Sequence, residues 1–179
     1  MQTAPDTPTV PPSLPVLLRL TLGSPDATTA LGAALAALLR PGDVVLLRGP
    51  VGAGKSHLAR AIIQTRLAAS GRREDVPSPT FTLVQTYDDG AAEIWHADLY
   101  RLTHADEALE LGLLAAFDSA ICLIEWPDIL GPDLPADALS VTLGPAPQDD
   151  ARALTLGWDA PGWAARLSPL LATFAPAER

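Results

Sequence analysis

The octapeptide Gly49-Pro50-Val51-Gly52-Ala53-Gly54-Lys55-Ser56 spaces three glycines, a lysine and a hydroxyl as a polyphosphate-binding loop requires. Glycine at 49, 52 and 54 permits the backbone turns that point consecutive N–H groups into one concavity. Lys55 can lie along such a loop and touch terminal phosphates as a point charge. Ser56 can offer its hydroxyl to Mg²⁺, a cation that prefers oxygen ligands and keeps several waters. Lys55 is the only lysine, and the eleven other basic residues are all arginine. A chain that otherwise uses arginine keeps lysine at the one position where a slim ammonium matters. The loop implies a nucleoside triphosphate, with Gly49, Val51, Gly52, Ala53, Gly54, Lys55 and Ser56 as its contacts.

A nucleotide with Mg²⁺ also needs an acid, ordinarily at the end of a strand beside the loop. Two positions qualify. Glu125 ends the apolar run Ile121-Cys122-Leu123-Ile124, and Asp98 ends Ile94-Trp95-His96-Ala97. Acids also end strands as ordinary turn residues. Glu125 is the stronger candidate for the metal, because its strand is wholly apolar and belongs centrally beside the loop strand. Asp98 is then free to orient water or a neighbouring segment. His96 falls on the same strand face as Asp98, where a ligand or a base is possible and a structural histidine is commoner. Trp126, next to Glu125, is a candidate to flank the nucleotide. Pro77-Ser78-Pro79-Thr80, read on its residues alone, is a rigid turn feeding a strand.

These groups need a scaffold. Val44–Leu47 is a continuous apolar run, as in a strand buried on both faces; it leads into the loop, and His57–Ala69 follows as a helix. Thr28–Leu39 carries Leu31, Ala34, Leu35 and Leu38 on one helical stripe, with Asp26 or Thr28 as its cap and Pro41-Gly42 as its stop. Phe81–Tyr87 and Ala92–Asp98 alternate around Asp88-Asp89-Gly90, predicting an antiparallel hairpin. A helix is expected from Thr103 to about Ala116, a strand at Ala120–Ile124, and loop from there to Asp137. Leu139–Leu143 and Ala151–Leu156 are expected to pair, before a short helix marked by Trp163, Leu167 and Leu170. The predicted fold is an α/β sandwich of the P-loop NTPase-like kind, its mixed central sheet containing a β-hairpin.

Composition sets further bounds. The 179 residues suit one domain, residues 16–179, behind a proline-rich tail at 1–15 that reads as flexible and polyproline-like. The tail has five prolines, no basic residue and no apolar stretch of the signal-peptide kind. No run of about 18 apolar residues exists to span a membrane. One cysteine, Cys122, leaves no internal disulfide, which together predicts a cytoplasmic address. The net charge of −9 argues against a direct grip on nucleic acid and for an indirect role through a partner.

Taken in order, Gly52-Ala53-Gly54-Lys55-Ser56, Ser78-Pro79-Thr80-Phe81-Thr82-Leu83-Val84, His96-Ala97-Asp98-Leu99-Tyr100-Arg101-Leu102 and Ile124-Glu125-Trp126-Pro127 resemble the bacterial TsaE (YjeE) family. The likeness runs from about Thr28 to Arg152, and the second and third strings are its specific parts. It implies a Mg²⁺-dependent ATP-binding protein, weakly active and monomeric alone. It further implies the partners TsaD and TsaB, which modify a tRNA adenosine beside the anticodon with threonylcarbamoyl. It carries over phosphate binding to the loop, Mg²⁺ to Ser56 and Glu125, and places around the nucleotide to Thr80, Asp98 and Trp126. Lys55, Thr80, Asp98 and Glu125 become the catalytic set, and Arg152 a nucleotide contact on a thinner likeness. It also turns the reading of Pro77–Thr80 from a rigid turn to a switch segment. The chain departs from the family in Pro50-Val51, where Asp-Leu is usual, in Ser56 for threonine, and in Ala97 for an aromatic. None of these removes a required group.

Two other classes share parts of the pattern. A small-metabolite kinase of the shikimate-kinase-like type also opens a helix with such a loop, but it needs a substrate pocket and an arginine-bearing lid. Only Arg101 offers itself for that pocket. A GTPase needs an N-K-x-D string, which a single lysine at 55 excludes.

Overall fold

The computed structural model describes residues 16–174, so the tail at 1–15 lies outside the described residues. The elements run β1 (Val16–Leu22), α1 (Pro25–Leu38), β2 (Val44–Arg48), α2 (Lys55–Ala69), β3 (Val84–Asp88), β4 (Glu93–Asp98), α3 (Ala105–Glu110), α4 (Leu113–Ala116) and β5 (Ile121–Glu125). A 3₁₀ segment (Pro127–Asp133), β6 (Leu139–Pro145), β7 (Arg152–Gly157) and α5 (Pro161–Phe174) complete the chain. The seven strands form one sheet in the order β1-β7-β6-β2-β5-β4-β3. Strands β4, β5, β2 and β6 run parallel, and β3, β7 and β1 join antiparallel. The predicted mixed sheet, its β3–β4 hairpin and the β6–β7 pair are all present.

Alternation sorts each buried run onto two cores. Val45, Leu47, Ile121 and Leu123 pack with Leu31, Leu35, Leu58, Ile62 and Leu167 on the α1, α2 and α5 face. Val44, Leu46, Cys122 and Ile124 pack with Ala108, Leu113 and Leu130 on the α3 and α4 face. Cys122 is the second residue of β5 and has no exposure, and burial, with Glu93 adding to it, pushes its thiol up to about 12.

Several elements differ from their sequence reading. Strand β1 had no assigned element, although Leu20 and Leu22 alternate with exposed Arg19 and Thr21. Helix α1 begins at Pro25, and its cap is Ser24, whose Oγ accepts from the Ala27 N–H at 3.2 Å, rather than Asp26 or Thr28. Pro at the first helical position loses nothing, because that N–H has no intrahelical acceptor. The helix expected across Thr103–Ala116 is two, divided at Gly112 with φ 76°, and it starts behind His104. Glu107 closes its first turn by accepting from the N–H groups of Thr103 and His104. The expected loop after Pro127 is a 3₁₀ segment kinked at Gly131. Strand β3 starts at Val84 rather than Phe81, because Leu83 N–H turns back to the Pro79 carbonyl at 2.7 Å. The C-terminal helix, predicted short, has 14 residues.

One buried ion pair ties three elements together. Arg66 on α2 donates to Asp89 at 2.6 Å and to the Ala36 and Leu39 carbonyls at the end of α1. Asp89 in turn accepts the N–H groups of Ala91 and Ala92, closing the β3–β4 turn. Burial by itself raises the Asp89 pKa, but those two N–H groups and the Arg66 guanidinium outweigh it and hold the carboxyl below its usual 3.8. A carboxylate lowered by folding stabilises the native state above its unfolded pKa and ceases to do so as pH falls through its folded one. Asp89→Ala is therefore expected to cost about 3 kcal/mol at pH 7 by stranding Arg66. In thermal melts across pH 2–7, the variant should lose less stability below about pH 4 than the parent does.

Candidate nucleotide-binding site

The register of the parallel strands assembles the site. Leu47 on β2 aligns with Glu125 on β5, and Glu125 aligns with Asp98 on β4. The loop that leaves β2 thus emerges at the same sheet edge as both acids, and both are buried. Gly49 has φ 134°, and a Cβ there would lie 2.1 Å from the Leu143 carbonyl oxygen. Neither the dihedral nor the space admits a side chain. Gly49→Ala should cost about 3 kcal/mol from strain and overlap combined; a melting temperature equal to the parent's would contradict this close approach.

Helix α2 begins at the loop with Gly54 in the left-handed region and no side-chain cap, and its first turn contains no acid. Helix α1 by contrast has Ser24 and Asp26 at its start, and α3 has Asp106 and Glu107. The free N–H groups and positive end of α2 are left unneutralised by its own sequence, the arrangement that receives an anion. Lys55 is 4% exposed. Its Nζ donates to the Gly49 and Pro50 carbonyls at 2.8 and 2.9 Å and lies 4.0 Å from the Trp126 ring centroid. Burial lowers its pKa, against the nearby charges of Glu125 and Asp98, which raise it.

Ser56 Oγ donates to Glu125 Oε2 at 2.8 Å, so the two residues assigned to Mg²⁺ in the sequence are in contact. Asp98 Oδ2 accepts from the Thr80 hydroxyl at 2.9 Å, and Ser78 Oγ lies 2.8 Å from the same hydroxyl. The Pro77–Thr80 segment is thereby hooked to the end of β4. Beyond it Leu83 has φ 65° and Phe81 is 86% exposed. Trp126 also has a positive φ, 57°, and its ring meets that of Tyr100 at 4.8 Å. Two bulky residues in the left-handed region are costly singly, and both border this site.

Arg152 lies apart from this cluster, at the start of β7, where its guanidinium donates to the Asp149 and Ala151 carbonyls. Arg101, the residue open to a kinase substrate pocket, donates instead to the Phe81 carbonyl at 2.6 Å. His96 is nearer the chemistry than its sequence reading placed it, with Nε2 2.8 Å from Glu125 Oε1 and the ring 1% exposed. Its position two residues before Asp98 was the available signal. The missing information was that β4 lies directly against β5.

A strand–loop–helix entry into a mixed sheet, with an uncapped helix end and two acids on one edge, defines a protein of the phosphate-loop NTPase-like fold class. The sequence model of the family "Threonylcarbamoyl adenosine biosynthesis protein TsaE" matches residues 22–154. A Rickettsia bellii protein named tRNA threonylcarbamoyladenosine biosynthesis protein TsaE is 40% identical over 122 residues, covering 68% of this chain and 83% of its own. A Bacillus subtilis protein of the same name is 35% identical over 133 residues, covering 74% and 80%. The crystal structure of Bacillus subtilis YdiB superposes with a TM-score of 0.68 at 27% identity, covering 87% of this chain and 95% of that one. The chain belongs to the TsaE family.

Proposed function

We propose that this protein is a Mg²⁺-dependent ATPase of tRNA threonylcarbamoyladenosine biosynthesis, cycling a complex of TsaD and TsaB partners by binding and hydrolysing ATP. The observation that carries the reading is the Ser56–Glu125 contact directly beneath the uncapped start of α2. A hydroxyl at the second residue of the helix and an acid from the adjacent strand end supply the oxygen donors that a nucleotide's cation takes up. Among the described residues no three His, Cys, Asp or Glu side chains converge to hold a metal unaided. That suits Mg²⁺, which is usually held by one or two protein oxygens beside phosphates and waters.

In this reading the loop N–H groups and Lys55 bind the phosphates, and Lys55 turns from the Gly49 and Pro50 carbonyls toward them. Ser56 and Glu125 hold Mg²⁺, which when bound neutralises charge developing on the phosphoryl oxygens. Asp98 holds Thr80 and with it the Pro77–Thr80 segment, whose position then depends on what fills the loop. Differential binding of partners to ATP and ADP forms follows only if that segment differs between them. Trp126 flanks the site, and Arg152 is a nucleotide contact if the β6–β7 turn folds toward it. The protein alone is a weakly active monomer of the cytoplasm. Among the described residues no helix is long and apolar enough to cross a membrane. Its net charge of −9 favours contact of the tRNA with the partners rather than with this chain.

The test is ATP hydrolysis by the purified chain, alone and with the TsaB–TsaD pair of its own organism. Stimulation by the pair, absent when Lys55→Ala replaces the parent, is the expected result. Phosphorylation of a small hydroxylated metabolite in place of partner stimulation would return the kinase reading.

A further inference from the structure

Glu125 is held from two sides. Ser56 Oγ donates to Oε2, and His96 Nε2 lies 2.8 Å from Oε1. The second contact is diagonal across the sheet, because His96 aligns with Leu123 while Glu125 aligns with Asp98. His96 and Glu125 are 1% and 2% exposed, so no bulk water competes for the pairing. The other ring nitrogen, Nδ1, is buried and has no hydrogen-bond partner among the described residues. A proton on Nδ1 would bury a donor with no acceptor and would set two acceptors, Nε2 and Oε1, against each other. The proton belongs on Nε2, and the imidazole donates to the carboxylate.

We propose that His96 is a positioning residue that fixes the Glu125 carboxylate, so that Oε2 stays turned to Ser56 and to the cation accompanying the nucleotide. The proposal rests on the reading of Ser56 and Glu125 as the Mg²⁺ side of the site. A carboxylate on a three-torsion side chain turns freely about its last bond. With a donor on each oxygen it does not, and the donor that never leaves is His96, packed inside the sheet. Groups that orient a metal's protein ligands typically alter metal affinity or activity 10–100-fold when removed.

The experiment measures ADP affinity by calorimetry in Mg²⁺ and in EDTA, and takes the ratio as the coupling between nucleotide and cation. The parent should show clear coupling. His96→Leu should reduce it about 10-fold while leaving the EDTA affinity unchanged, and His96→Gln, whose amide can donate to Oε1, should restore most of it. Equal losses in Mg²⁺ and EDTA, or full coupling in His96→Leu, would overturn the proposal while leaving the Mg²⁺ reading intact. Absence of coupling in the parent would overturn both. If His96→Leu does not fold, the parent decides by itself. The chain has three histidines, and ¹⁵N-labelled imidazoles should include one fixed as the Nε2–H form and displaced by Mg·ADP; an Nδ1–H ring at that position refutes the assignment.

Discussion

Lys55→Ala should weaken ATP binding about 100-fold, or about 2.7 kcal/mol, and change the folding free energy by less than about 1 kcal/mol. The two effects separate because the ammonium is surrounded by groups that suffer little from its loss. The Gly49 and Pro50 carbonyls it touches belong to a half-buried and an exposed residue, which water can reach once the ammonium is gone. Its stacking beneath Trp126 is worth about 1 kcal/mol, offset by release of a cation from a site where burial disfavours its charge. Two nearby arginines are poorly placed to replace it for a bound polyphosphate: Arg48, which ends β2, donates to Asp128 and Ser140, and Arg101 donates to the Phe81 carbonyl. Lys55→Arg should recover less than about 10-fold of the loss, because a planar fork is wider than the slot between loop and indole. Calorimetric titration with a non-hydrolysable ATP analogue measures both variants. Parental affinity in Lys55→Ala would mean that the loop does not hold phosphate.

Glu125→Ala should lower partner-stimulated, Mg²⁺-dependent hydrolysis about 100-fold and leave nucleotide affinity without Mg²⁺ within about fivefold. The carboxylate touches no loop N–H; its two contacts are the hydroxyl of Ser56 and the ring of His96. Its removal deprives the buried His96 ring and the half-buried Ser56 hydroxyl of their acceptor, at about 1–3 kcal/mol for the buried one, so a lower melting temperature is part of the expectation. Glu125→Gln separates the effects: it keeps an acceptor and the packing while removing the charge that a divalent cation requires. It should melt near the parent and hydrolyse nearly as poorly as Glu125→Ala. Undiminished hydrolysis in both variants would move the metal role to Asp98, the adjacent acid in the strand register.

The legible parts of this fold were those in which one residue's type dictates one local outcome. The four-residue apolar run before the loop announced a strand with both faces covered, and its residues do divide between the two cores. The turn at Asp88–Gly90 gave the hairpin. Strand β1 escaped because its alternation adjoins a proline-rich stretch and because its partner is the last strand, so that its pairing is nearly the whole chain away. The break at Gly112 escaped because apolar spacing continues across it, through Leu109, Leu113 and Ala116. Within the site, Ser56 and Glu125 could be joined because Glu125 ends a wholly apolar strand that belongs beside the loop strand; type alone left Asp98 equally open. His96 could not. Its importance depends on a diagonal reach between two residues 29 positions apart in sequence, on strands whose register only the sheet fixes. Lys55 beneath Trp126 was likewise invisible, because it requires the left-handed turn that Trp126 makes after β5.

The burial of Cys122 has a practical corollary. With its thiol titrating near 12 at the centre of the sheet, the chain's single cysteine is closed to alkylating dyes, spin labels and mild oxidants. A cysteine introduced on the surface is then the only one that reacts, with no need to remove the native one. Phe81→Cys would carry a probe at the exposed tip of the Pro77–Leu83 turn, and a distance from it to a second such label on α5 would report that segment's travel during turnover.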